Sequence, residues 1–165
     1  MANTGRRAPA WLTRQAVGHS LRTAVAAAVS LLVARLFRLP ESYWAAITTL
    51  VVMQSTLGAA WTVSQQRFAG TALGAAMGAL LAGYFGMNLF AFSAGVFAQG
   101  LICAALRLDR AAYRFSGITL AVVMLIARSR SVAVVAVHRF VEVSLGIAVG
   151  LVLTLAWPER EASAP

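Results

Sequence analysis

This sequence predicts an all-α integral membrane protein: six transmembrane helices laid out as two inverted three-helix repeats. Three observations carry that expectation. Of the 165 residues, 60% are hydrophobic and 12% charged, about half the charged share of an ordinary soluble domain. The apolar residues fall into long runs broken by arginine, proline or glycine. The chain also resembles itself at one spacing, for Arg67-Phe68 returns as Arg139-Phe140.

Residues 1–20 are a basic, polar lead-in. Trp11, Leu12, Val17 and Leu21 make it either a short amphipathic helix in the membrane interface or an extension of the first span. The apolar run starts near Leu21 without a convincing cleavage site, so the first span is expected to be retained. It runs to Phe37 and stops at Leu39-Pro40, where proline cannot continue a helix. The second span is expected from Tyr43 to Ala60 and the third from Phe68 to Phe85. Gly86-Met87-Asn88 is a tight turn. The fourth span runs from Leu89 to Leu106 and is followed by a charged loop with Arg107, Asp109, Arg110 and Arg114. The fifth covers Phe115 to Ala127. After Arg128-Ser129-Arg130-Ser131 the sixth runs from Val132 or His138 to Trp157 and ends at Pro158. A span needs about 20 apolar residues. Six of them occupy nearly all of residues 21–158, leaving a short tail, 159–165, and no room for a soluble domain.

The formal net charge is +9 and every basic residue is arginine. These arginines lie between apolar runs and not on a polar face with interleaved aromatics, which excludes a nucleic-acid-binding surface. With the N-terminus inside, Arg6, Arg7, Arg14, Arg22, Arg67, Arg107, Arg110, Arg114 and Arg160 are cytoplasmic. Arg35, Arg38, Arg128, Arg130 and Arg139 are then outside. The excess inside predicts two cytoplasmic termini. Trp44, Trp61 and Trp157 fall at span ends, where indole rings prefer to sit.

Catalytic and metal chemistry find no support. Cys103 lies alone in an apolar run and reads as a small buried hydrophobe. His19 and His138 are isolated. No nucleophile–base set and no carboxylate pair with useful spacing is present. No cofactor is expected, and the first partner is membrane lipid.

The repeat is the most informative feature. Between Gln66–Phe85 and His138–Trp157, Arg67 matches Arg139, Phe68 matches Phe140, Gly74 matches Gly146 and Gly78 matches Gly150. Ile47-Thr48 and Val51-Val52-Met53 return as Ile118-Thr119 and Val122-Val123-Met124. Arg35-Leu36-x-Arg38 returns as Arg107-Leu108-x-Arg110. The units are residues 21–86 and 89–158. Three spans per unit is an odd number, so the second unit enters the bilayer upside down. Inverted repeats of this kind are frequent in secondary transporters, with the site at the repeat interface; duplication as a way to build a stable bundle is the plainer reading.

Gly70, Gly74 and Gly78 share one helix face, as do Gly146 and Gly150, and small residues at this spacing let helices approach closely in lipid. Glu142 lies on the stripe of Gly146, facing a packed seam. Burying it in a span costs on the order of 2.5–3.5 kcal/mol. Arg139, three residues earlier, is its expected partner. Coupling or gating is the functional reading of Glu142; an orienting ion pair is the structural one. Arg67 and Arg139 each stand near the start of a predicted span, one per membrane face. There an anion gains from the guanidinium and from free backbone N–H groups; the alternative is contact with lipid phosphate. Tyr43, Trp44, Thr48 and Gln54 are candidates to line a path for a planar organic anion, or else interfacial anchors and interhelical hydrogen bonds.

Tyr43-Trp44-Ala45-Ala46-Ile47-Thr48, then Val52-Met53-Gln54, then Arg67-Phe68-x-Gly70-Thr71-x-x-Gly74 resemble the fusaric acid resistance and aromatic acid exporter family. Arg139-Phe140 with Gly146 is similar to that family's second copy. The resemblance spans roughly residues 20–158. It implies a bacterial inner-membrane protein that exports aromatic carboxylic acids or related toxic compounds, driven by the proton gradient. Plant aluminium-activated malate channels are more distantly similar and imply a dimeric anion-conducting bundle. Many family members carry a large cytoplasmic domain after the spans. Here Trp157 is close to the last residue, so a homodimer, or a partner supplying that domain, is expected. An anion pore and a non-transporting scaffold or accessory subunit are the other two readings.

Overall fold

Six helices follow one another along the chain: α1 (Ala10–Leu36), α2 (Tyr43–Val52), α3 (Leu57–Phe85), α4 (Leu89–Ala105), α5 (Arg110–Ile126) and α6 (Val132–Ala156). The computed structural model describes residues 10–54, 56–126 and 131–158, with only the backbone of 10–15 and 126. Arg6, Arg7, Arg128, Arg130 and Arg160 lie outside the described residues, as do the side chains of Trp11, Leu12 and Arg14.

Three helices are long and apolar enough to cross a membrane: Ala16–Leu36 within α1, all of α3 and all of α6. The 29 residues of α3 rise about 44 Å, more than the ~30 Å hydrocarbon core. α4 and α5 have 17 residues each and rise about 26 Å. From Ala10 onward the lead-in and the first span are one unbroken helix, α1.

The burial pattern is inverted relative to a water-soluble fold. Leu32, Leu80, Phe90, Phe97, Leu101, Val152 and Leu155 are exposed, while Arg22, Arg67, Gln99, Arg139 and Glu142 are buried. A soluble chain hides its large apolar side chains and keeps its charges wet. A bilayer removes the gain from hiding them, and polar groups turn inward to find partners.

The second span is not a continuous helix from Tyr43 to Ala60. α2 has 10 residues, about 15 Å. Met53 turns extended, with ψ 100°. Thr56 caps α3 by accepting the N–H of Ala59 at 3.2 Å. No proline or glycine forces this break. Side chains satisfy the backbone it frees: Gln54 Nε2 donates to the Val51 carbonyl at 3.0 Å, and Arg22 Nη2 donates to the Gln54 carbonyl at 3.0 Å. Arg22 Nη2 also reaches Thr154 Oγ1 of α6 at 3.3 Å. Backbone groups that leave a helix in a buried place need such partners.

Glycine seams order the packing. A Cβ on Gly74 would meet the Ser116 carbonyl and stand 2.7 Å from Thr119 Cβ; one on Gly146 would meet the Ala45 carbonyl and stand 2.7 Å from Thr48 Cβ. Gly70 lies on Ala112, Gly78 on Val123 and Gly150 on Val52. Partners advance in the same direction along both helices, so α3 runs parallel to α5 and α6 to α2. Two apolar clusters fill the seams. One joins Val52, Ala60, Val143 and Ile147; the other joins Ala75, Val123 and Ala136.

The ends of α1 and α4 share a geometry. Arg38 and Arg107 both take φ 54°. Each is followed by a Schellman closure, Leu39 N–H to the Ala34 carbonyl and Leu108 N–H to the Cys103 carbonyl. Arg38-Leu39 and Arg107-Leu108 thus end their helices in the same way. The predicted turn at Gly86-Met87-Asn88 is present, with Asn88 Oδ1 accepting the N–H of Phe90 at 2.8 Å to start α4.

Candidate functional site

Arg67 and Arg139 meet where α3 and α6 pack together. Their neighbours Phe68 and Phe140 have ring centroids 5.0 Å apart. The expectation of one arginine per membrane face is thus replaced by a pair at one level. Neither stands at a helix start. Leu57 opens α3 and Val132 opens α6, so both arginines lie beyond the first turn, where backbone N–H groups already bond within the helix. Free backbone N–H groups are therefore not at hand beside either guanidinium.

Each guanidinium faces an aromatic ring. Arg67 Cζ is 4.8 Å from the Phe115 centroid, and Arg139 Cζ is 3.2 Å from the Trp44 centroid. A desolvated cation over an aromatic face gains about 2 kcal/mol, the same order as the insertion cost of a charged residue in a span. The rings therefore offset much of the burial.

The two sites differ in their remaining donors. Arg67 Nε donates to Thr48 Oγ1 at 3.2 Å. Arg139 is 2% exposed, yet its Nε and Nη1 have no hydrogen-bond partner. A buried donor left without an acceptor costs about 1–3 kcal/mol. Of the pair, Arg139 is the one with buried donors that lack an acceptor.

Glu142, 1% exposed, does not pair with Arg139. Its Oε1 accepts the backbone N–H of Glu41 at 2.9 Å. Glu41 Oε2 in turn accepts Trp44 Nε1 at 3.0 Å and the Tyr43 hydroxyl at 3.3 Å. The start of α2 is thereby tied to the middle of α6, and the Ser42 side chain makes no capping bond there.

Of the residues singled out from sequence, Arg67, Arg139, Trp44, Thr48 and Glu142 come together. Tyr43 is at the rim, 48% exposed. Gln54 is elsewhere, its side chain closing the end of α2. Gly70, Gly74, Gly78, Gly146 and Gly150 serve the helix seams. Sequence reasoning missed Glu41, Phe115 and Arg22. Phe115 had a signal, because the spacing that pairs Thr48 with Thr119 also pairs Trp44 with Phe115. Glu41 had none, sitting in a loop beside Pro40. Among the described residues no cluster of metal-ligating side chains occurs.

Comparison with known proteins bears on what this arrangement serves. The model of the family described as fusaric acid resistance protein-like matches residues 16–153. The chain is similar to the inner membrane protein YeeA of Escherichia coli (strain K12), with 30% identity over 146 residues, covering 86% of this chain and 41% of that protein. The chain thus spans less than half the length of the curated relative it matches. No solved structure matches.

Proposed function

The chain belongs to the fusaric acid resistance protein-like family, and from that premise we propose that it moves small organic anions, such as aromatic carboxylic acids, across a bacterial cytoplasmic membrane. The direction is export and the coupling is to protons. The observation that carries the proposal is Arg139: a buried guanidinium with uncommitted Nε and Nη1 donors, a second guanidinium close by, and aromatic rings on both. Nε and Nη1 lie on different edges of the guanidinium, so each can donate to an oxygen of a carboxylate on its own side, as a charge-assisted hydrogen bond. A planar aromatic acid would also find ring faces to stack on.

The proposal includes two inverted three-helix repeats. Matched packing supports it: Gly74 on Ser116 and Thr119 beside Gly146 on Ala45 and Thr48, and Arg67 over Phe115 beside Arg139 over Trp44. Sites in such folds lie at the repeat interface, which is where α3 meets α6. Glu142 is the candidate coupling residue, because a buried carboxylate one turn from Arg139 gives a proton a place to act. The cytoplasmic membrane is supported by the apolar helices and by the inner-membrane relative. Two cytoplasmic termini follow from the arginine excess, and a homodimer from the small helix surface one chain offers to enclose a path.

The test is flux in proteoliposomes of the purified protein, with a panel of aromatic carboxylates and with or without an imposed pH gradient. Gradient-dependent flux that Arg139→Gln abolishes is the expected result. Flux or current without any gradient would convert the reading to an anion pore. No flux from folded, inserted protein would leave a scaffold or accessory subunit.

A further inference from the structure

We propose that Trp44 is a lid on Arg139 and that Glu41 is the positioning residue that holds it closed. The inference rests on the reading of Arg139 as the anion's partner. The indole ring lies on the guanidinium at 3.2 Å, and the donors beneath are buried without acceptors. Water or an anion reaches those donors only if a neighbour moves. Arg139 belongs to a 25-residue helix packed along α2 and α3, so its own backbone is the least free to shift. Trp44 belongs to the first turn of a 10-residue helix whose N-cap side chain makes no bond.

What restrains that turn is a short chain of hydrogen bonds. Trp44 Nε1 donates to Glu41 Oε2 at 3.0 Å, and the Glu41 N–H donates to Glu142 Oε1 at 2.9 Å. The first bond sets the angle of the ring, and the second sets the loop that carries Glu41. Removing the first frees the ring without disturbing α6.

The related half of the molecule has no such latch. Phe115, over Arg67, has no N–H to hold. Gly70 stands where Glu142 would be, packed on the backbone of Ala112. Arg67 Nε already donates to Thr48. The latch stands over the arginine whose Nε and Nη1 are buried without acceptors, which is where closing and opening would matter to a ligand.

The experiment uses the full chain in detergent with Trp11, Trp61 and Trp157 changed to Phe, leaving Trp44 as the one indole. Acrylamide quenching reads its exposure. Glu41→Ala is expected to raise the quenching constant at least twofold. Glu41→Gln, whose amide oxygen still accepts the indole N–H, is expected to stay near the parent. A parallel protein keeping only Trp157 should be unchanged by Glu41→Ala. Unchanged Trp44 quenching in Glu41→Ala overturns the lid, and so does an equal rise at Trp157, which would make Glu41 a general structural residue. Benzoate association, followed in the same proteins, is expected to quicken at least threefold in Glu41→Ala. If benzoate binds no variant while Trp44 alone becomes quenchable, the lid stands and the anion reading falls.

Discussion

Glu142 Oε1 accepts the backbone N–H of Glu41 at 2.9 Å, a bond that ties the buried middle of α6 to the loop opening α2. A carboxylate and a carboxamide can both accept this N–H, but only the carboxylate can take up and release a proton. Glu142→Gln is therefore expected to keep the thermal midpoint of the wild type and to lose the dependence of flux on a pH gradient. Glu142→Ala leaves the N–H without its acceptor, at about 1–3 kcal/mol, and should lower the midpoint as well. Thermal unfolding in detergent beside proteoliposome flux separates the two effects.

The glycine seams predict a graded series. A methyl group on Gly146 would run into the Ala45 carbonyl, and one on Gly74 into that of Ser116. Backbone cannot rotate away as a side chain can, so each Ala substitution is expected to cost about 1–3 kcal/mol or more. Gly83 in α3 has open space around its Cβ position, and Gly83→Ala should be neutral or slightly stabilising. A Gly83→Ala protein as unstable as Gly146→Ala would contradict the packing.

Arg22 closes the break between α2 and α3 through the Gln54 carbonyl and reaches Thr154 of α6. Arg22→Leu removes both bonds while keeping an apolar stem. Faster hydrogen exchange at Met53 and Gln54 is the expected outcome, with exchange in the middle of α3 little changed. Uniform acceleration along the whole chain would mean that Arg22 supports the bundle generally.

Arg67 and Arg139 share one level, so their neighbours should be linkable. In a Cys103→Ser background, Phe68→Cys with Phe140→Cys is expected to join through a short bis-maleimide within one chain. Phe68→Cys with Leu155→Cys, toward the end of α6, should not. No linkage in the first pair would return the arginines to separate faces of the membrane.

The same two arginines should respond differently to substitution. Thr48→Val takes away the acceptor of Arg67 Nε and should cost on the order of 1 kcal/mol of stability with anion affinity little changed. Arg139→Gln should do the reverse, abolishing benzoate binding while leaving the midpoint near wild type, since the lost contact with the Trp44 ring is offset by removal of a buried charge whose Nε and Nη1 lack acceptors. Calorimetric titration with benzoate beside thermal unfolding distinguishes them.

The sequence by itself determined that this is an all-helical membrane chain, where α4 and α6 lie and which glycines meet neighbours. Those properties depend on composition and on local spacing. Apolar runs are long because lipid demands it, Asn88 and Pro158 mark helix limits wherever they occur, and glycines four residues apart must share a face. The family was legible for the same reason, in short motifs. The tertiary structure alone decided three things. The break after Val52 is invisible in Val-Val-Met-Gln, because what stabilises it is Arg22, which comes from α1. The meeting of Arg67 and Arg139 depends on how α3 crosses α6, which their distance along the chain does not contain. Glu142 bonds Glu41 and not Arg139 because a side chain chooses among all the donors around it, and the donor it takes belongs to a loop 101 residues away.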